Sequence, residues 1–179
     1  MRNGKTEPLM FTSLQFTPNR SSPPIADPVE CWNRDPRICT GVLLFDLLIG
    51  NEDRGIWNLT LDRKKPYSLM IWDHECSVAS DMYGDATKHL EGVDEFRIDT
   101  HCFPEVVTTD EYFDEWIHRI ESIPKWFIDA ICRESRSDGF KAAEIKAAAG
   151  YLYHRSHHFA SLIKRHKDKF CISQWGVLT

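Results

Sequence analysis

The chain has 179 residues, with 42% apolar and 27% charged side chains and a formal net charge of −5. That length supports one domain with a core of its own and is short for two. The acidic balance offers no domain-wide basic surface, so no nucleic-acid partner is expected. No apolar run approaches the ~18 residues needed to cross a bilayer, and none follows the positive residues at the start. A cytoplasmic protein without a membrane partner is the expectation.

In chain order, residues 1–40 carry little helical pattern. A short alternation over Met10–Phe16 leads into a stretch where five of the nine prolines fall between Pro18 and Pro36. Proline removes backbone donors and fixes φ, so residues 1–40 read as an extended N-terminal segment. Thr40 can cap a helix opening at Gly41. Its members Val42, Leu43, Leu44, Phe45, Leu47, Leu48 and Ile49 are apolar all round, the mark of a central, buried helix. Asp46 is the exception. A buried carboxylate must be paired, and Arg54 is the partner at hand. Gly50-Asn51 ends the helix through a left-handed turn.

Two short strands follow, Leu59–Leu61 and Ser68–Trp72, joined by a hairpin connection over Asp62–Pro66. Residues 74–108 lack periodicity and read as a long functional or mobile loop. Helices resume at Thr109 or Asp110, with Phe113, Trp116, Ile117 and Ile120 on one face. Pro124 opens the next, burying Trp126, Phe127, Ala130 and Ile131. A last helix spans about Phe140 to Arg165, with Ala143, Ala147, Tyr151, Phe159, Leu162 and Ile163 in the core and Gly150 as a possible break. The division is an N-terminal segment (1–40), a folded unit (41–170) and a tail (171–179), and the fold class is mainly α with a small β-hairpin.

The chemistry concentrates in Asn51-Glu52-Asp53-Arg54-Gly55-Ile56-Trp57-Asn58 and Ile71-Trp72-Asp73-His74. Phosphoryl transfer needs a carboxylate to position or deprotonate the attacking hydroxyl, and hard oxygen ligands for Mg²⁺ at the phosphates. Asp53, an asparagine five residues on at Asn58, and Asp73 returned by the hairpin answer that need. Taken singly, each of the three fits a polar turn that caps backbone donors. Together and in this order they match the kinase arrangement of catalytic loop and metal-binding aspartate.

The run Ile49-Gly50-Asn51-Glu52-Asp53-Arg54, then Asn58, then Asp73-His74, resembles the signature of HipA-like kinases and phosphatidylinositol 3-/4-kinases, "I-G-N-x-D-R-H-x-x-N" followed by "I-D-H" or "I-D-F-G". The resemblance implies a protein-kinase-like C-terminal lobe, with the hairpin at its active edge, that uses ATP and Mg²⁺. It gives Asp53 the catalytic role, makes Asn58 and Asp73 ligands of the metal and the nucleotide, and points to a protein serine or threonine as acceptor. Two positions depart from the pattern. Gly55 stands where the family has histidine. Before Asp53 the only lysine is Lys5 and the only glycines are Gly4, Gly41 and Gly50, so no glycine-rich loop or strand lysine grips the phosphates. A partner protein or a second copy would then supply or cover the missing N-lobe face. The alternative is an inactive, pseudokinase-like lobe that serves as a protein-binding or regulatory module.

Other clusters carry less. His154, His157 and His158 can share a helix face but read as surface or core histidines rather than metal ligands. Cys76 near His74 offers no trustworthy nucleophile geometry. The six tryptophans fit core anchoring better than base stacking. Lys164, Arg165, His166, Lys167 and Lys169 read as a solvated helix end. Six scattered cysteines, without a C-x-x-C pair, are expected to be reduced thiols.

Overall fold

In the computed structural model, residues 24–62, 68–74, 76–78, 90–138, 140–176 and 178 are described. The proline-rich stretch is not extended throughout. Asp27-Pro28 and Asp35-Pro36 each start a helix, α1 (Pro28–Arg34) and α2 (Pro36–Ile49). The Asp27 carboxylate accepts from Val29 N at 2.9 Å and that of Asp35 from Ile38 N at 3.0 Å. Proline at the first helical position gives up a donor that would have no partner there. Thr40 is therefore interior rather than a cap, and its hydroxyl donates one turn back to Pro36 O at 2.9 Å. Residues 1–23, including the Met10–Phe16 alternation, lie outside the described residues.

The central helix behaves as its composition demands. From Cys39 to Leu48 every α2 residue is buried except Phe45. Gly50 closes it at φ 65°, a conformation that costs glycine little. After one 3₁₀ turn (Ile56–Asn58), β1 (Leu59–Asp62) and β2 (Ser68–Ile71) form a two-stranded antiparallel hairpin. Its register pairs Leu59 with Ile71 and Thr60 with Met70. The connection at 63–67 lies outside the described residues.

The helical remainder comprises α3 (Phe113–Glu121), α4 (Lys125–Glu134), α5 (Ala142–His157) and α6 (Phe159–Arg165). Leu43, Leu44 and Leu47 of α2 meet Phe113 and Ile117 of α3, and Phe159, Leu162 and Ile163 of α6, in one cluster. The aperiodic stretch adds Phe96, Ile98, Phe103 and Val107 to that cluster. Its described part is thus a core wall, too irregular to leave a period in the sequence. The C-terminal residues pack as well, with Trp175 edge-on to Phe113 at 5.1 Å and Ile172 and Leu178 buried.

Two expectations fail for identifiable reasons. Helix α4 buries Ile128 and Cys132, while Trp126 is 69% exposed and Phe127 and Ile131 stand outside. The buried pair is one turn apart, whereas the expected face is set by residue size. Trp116 does keep to the core face of α3, partly buried against the cluster on Gly41 and donating Nε1–H to Arg37 O at 2.8 Å. The last helix breaks at His158, not at Gly150. Ala143 is exposed and Ala148 takes the buried place. Among the described residues no helix is long and apolar enough to cross a membrane. All six cysteines are free, and burial raises the Cys31 thiol to about 11.

Two glycine-to-alanine changes on helices should act with opposite sign. A Cβ on Gly41 would lie 2.3 Å from the Trp116 ring, whereas one on Gly150 meets nothing within 4 Å. Gly41→Ala should destabilise by about 1–3 kcal/mol through overpacking. Gly150→Ala should stabilise by about 0.4–1 kcal/mol. Urea unfolding of the two variants checks both signs.

Candidate functional site

The site is built on a carboxylate that does no chemistry. Asp46, fully buried in α2, accepts four hydrogen bonds, two at each oxygen. Arg54 grips it through Nε at 2.8 Å and Nη2 at 2.9 Å. Asn51 Nδ2 donates at 2.9 Å and His101 Nε2 at 3.2 Å. The His101 tautomer follows from its surroundings, since Nδ1 accepts from Phe103 N at 3.1 Å and must be bare, leaving the proton on Nε2. Burial by itself would raise the Asp46 pKa. The Arg54 and His101 bonds and the Arg54 charge outweigh it and hold the group at about 2. With its acceptor capacity used, Asp46 is a structural anchor, and Arg54 is its partner as the sequence suggested.

Arg54 carries that anchor outward to the loop and hairpin. Its Nη1 donates to Trp72 O at 2.5 Å and, at 3.4 Å, to Asn58 O. Its own carbonyl accepts from Cys102 N at 2.9 Å. The stretch 97–102 clasps the same loop, with Arg97 on Glu52 at 2.8 Å and the Thr100 hydroxyl donating to Glu52 O. Glu52 is therefore partnered by Arg97 beside the loop.

The three expected site residues hang from this frame. Asp53 is half-buried, its N–H directed at Asn51 Oδ1 at 3.4 Å and its carbonyl accepting from Asn58 Nδ2 at 3.0 Å. That second bond orients the Asn58 amide, because only its nitrogen can donate to a carbonyl, so Oδ1 is the opposite end. Asn58 is itself buried, and its carbonyl accepts from Trp72 N at 3.4 Å. Asp73 lies two residues past the end of β2, is exposed, and sits at φ 59°, alone among the described non-glycine residues in the left-handed region. Asp53 and Asn58 are thus bonded to each other, and Asn58 is bonded to the residue before Asp73.

His74, next in line, lies edge-on to Phe45 with ring centroids 6.0 Å apart. Its Nε2 is buried without a hydrogen-bond partner among the described residues. Burial first, and then the Arg54 charge, push its pKa down. Gly55 is buried beneath the Trp57 indole, and a Cβ there would come within 2.5 Å of the ring.

Sequence reasoning missed His101, which reaches Asp46 across 55 positions. Its one visible signal was a histidine within a stretch whose apolar members Phe96, Ile98 and Phe103 are buried. Among the described residues no cluster of three or more His, Cys, Asp or Glu is arranged to hold a metal ion. His154 instead pairs with Asp94 at 2.9 Å, beside Arg165. Comparison with known proteins gives no match among family models, curated proteins or solved structures.

Removing either partner of the buried pair strands the other. Asp46→Ala and Arg54→Met should each cost about 3–5 kcal/mol in urea unfolding, and the double variant clearly less than their sum. Acid should also weaken the fold in two stages. Burial lowers the His101 pKa below its ordinary 6.5, and His74 shifts the same way. The unfolded chain then takes up protons that the folded chain refuses, so stability falls as pH drops below 6.5. Asp46, lowered from 3.8 to about 2, adds a loss as pH falls from 3.8 towards 2. His101→Gln should reduce the upper stage to the part His74 contributes and leave the lower one, as read from unfolding free energies across pH.

Proposed function

We propose that the chain is a kinase-like phosphotransferase lobe of the HipA-like and phosphatidylinositol-kinase-like kind, working with ATP and Mg²⁺ on a hydroxyl, with protein serine or threonine as the favoured acceptor. The observation that carries this reading is the bonded sequence Asp53–Asn58–Trp72, which holds a loop carboxylate, an amide and the exposed Asp73 at one end of the hairpin. The donor chemistry fits the metal. Asn58 has its nitrogen committed to the loop, and Asp73 projects an accessible carboxylate, so both offer the hard oxygen that Mg²⁺ prefers. The unpartnered Nε2 of His74, one residue from Asp73, is a polar atom that a bound group could satisfy. When bound, Mg²⁺ would offset phosphate charge at Asn58 and Asp73.

The work of the chain's own residues follows from their placement. Asp53, its backbone held at N–H and carbonyl, is the carboxylate that would orient an acceptor hydroxyl and take its proton. Arg54 is a positioning residue, fixing Asn58 and the end of β2 to the buried helix. Asp73 sits in a backbone conformation that disfavours a side chain, and such strain tends to collect where function holds it in place.

A partner over this end is part of the proposal. Ile56, Trp57, Phe45, Ile25 and Val29 are exposed. Ile56 and Trp57 lie in the 3₁₀ turn before β1, Phe45 touches His74, and Ile25 precedes the Ala26 N to Leu59 O bond of 3.3 Å. Exposed apolar surface of this kind marks an interaction site. A partner or second copy bringing phosphate-gripping groups fits that position. The second reading, an inactive lobe used only for docking, draws on the same patch and on Gly55 at the histidine position.

Calorimetric titration with ATP and Mg²⁺ discriminates the two. Binding is expected in the wild type, alone or with a partner, and should vanish in Asp73→Gly. Because glycine relieves the positive φ, that variant should unfold no more easily than the wild type and gain up to about 1 kcal/mol. Asp53→Asn should keep nucleotide binding while phosphate transfer falls by about 100-fold or more. No nucleotide binding under any combination overturns the enzymatic reading and leaves the docking lobe.

A further inference from the structure

Helices α4 and α5 pack against each other through Ile128 and Cys132 on one side and Ala148 and Tyr151 on the other. Beside that contact runs an open groove of about 710 Å³. Its α4 wall carries Lys125, Asp129 and Arg133, spaced one turn apart, with Arg136 just beyond. Its α5 wall presents Ala142, Ile145, Ala149, Gly150 and Tyr153, with Lys146 at the rim. The groove is wide because α5 is thin here, a Cβ on Gly150 meeting nothing within 4 Å.

Lys125, Arg133, Arg136 and Lys146 against Asp129 leave the groove three net positive charges, in a chain whose overall charge is −5. The carboxylate is already neutralised, since Lys125 Nζ lies 2.7 Å from Asp129 Oδ2 and also stands 5.6 Å over the Tyr153 ring. Trp126, 69% exposed, belongs to the same side of α4, one turn from Asp129 and two from Arg133. Its ring stands edge-on to Phe127 at 5.9 Å, outside the groove lining but within reach of a helix laid along the Arg133 face.

We infer that the groove between α4 and α5 is a docking site for an acidic, amphipathic helix of a partner protein. The charge selects acidic residues on that helix. The shape selects length, because Lys125 and Arg133 are separated by about 12 Å along the axis at 1.5 Å per residue, so the cations form a row and do not converge on one small anion. The floor selects an apolar stripe, which Ile145 and the alanines can bury without holding rigid side chains. Nucleic acid suits it less, for the floor is mainly aliphatic and the chain is acidic. The site is independent of the Asp53–Asn58–Asp73 end and stands whether or not that end transfers phosphate.

The test is selection from a displayed library of random helix-length peptides against the full chain, followed by fluorescence polarisation on the enriched sequences. Enriched peptides should carry net negative charge and apolar residues at i, i+3, i+4 and i+7. The double variant Arg133→Glu/Lys146→Glu should weaken them about tenfold or more, with binding in the wild type falling as salt rises. Trp126→Ala should weaken them about tenfold or more. Lys164→Glu, on the distant α6, should not. All of these positions are exposed on helices, so the variants should melt with the wild type. Neutral or basic winners, an empty selection, or affinity unmoved by the charge reversal overturn the inference. So does tighter binding of a single-stranded oligonucleotide, or sedimentation showing self-association that Trp126→Ala abolishes and that accounts for the groove.

Discussion

One buried ion pair organises the end of the molecule where its chemistry gathers. Asp46 lies in the middle of an otherwise apolar helix, and removing its charge from water is tolerable only because Arg54, Asn51 and His101 fill its acceptor sites. Arg54 is equally committed, to Asp46 on one edge and to the carbonyls of Trp72 and Asn58 on the other. A hydrophobic replacement of the pair could match its stability but not its reach, since a leucine cannot hold two carbonyls from two segments in register. The pair is best understood as a device of placement. It fixes where β2 ends and how the loop turns, and both follow from a helix that cannot move within the core.

How much of this the sequence disclosed depends on the range of the interaction. Asp46 is conspicuous as the lone charge in an apolar helix, and Arg54 is only eight residues away, so the pair was legible. The antiparallel hairpin and the Gly50 stop were legible too, because alternation and a left-handed glycine act locally. His101 was not, since its partner is 55 residues distant and its own segment lacks any period. The Asp-Pro helix starts at Pro28 and Pro36 were hidden by counting prolines without reading the aspartates before them. Trp126 was misplaced by its size, since a bulky residue on an amphipathic helix need not face the core. Mutual placement of Asp53, Asn58 and Asp73 beyond their backbone links lies past what periodicity or motif can carry.

Gly55 and Asp73 divide local cost in opposite ways. At residue 55 a glycine stands in an ordinary backbone conformation for steric reasons, because the Trp57 indole occupies the place of a side chain. At residue 73 a side chain is kept in a conformation that glycine would adopt more easily. Stability alone favours neither an indole left 60% exposed nor a side chain where glycine would relieve a positive φ. Both choices enrich the surface at the hairpin, one with apolar area and one with a carboxylate. Stability is spent there on what the surface presents.

A second buried guanidinium helps to hold that end from the helical side. Among the described residues Arg155 of α5 has no salt-bridge partner. It lies between the Phe96 and Tyr151 rings, each centroid 5.0 Å away, and donates to Val93 O, Glu95 O, Leu47 O and the Tyr151 hydroxyl. Burial lowers its pKa, yet several oxygen acceptors keep the charge solvated by protein dipoles. Arg54 and Arg155 therefore hold the same irregular stretch at two points, through Cys102 and through residues 93–95, and both tie it to α2. Fastened from the helical side in this way, and tied at β1 to the N-terminal segment through Thr60 to Pro24 O and Ala26 N to Leu59 O, the loop and hairpin take their order from the buried helix and its neighbours.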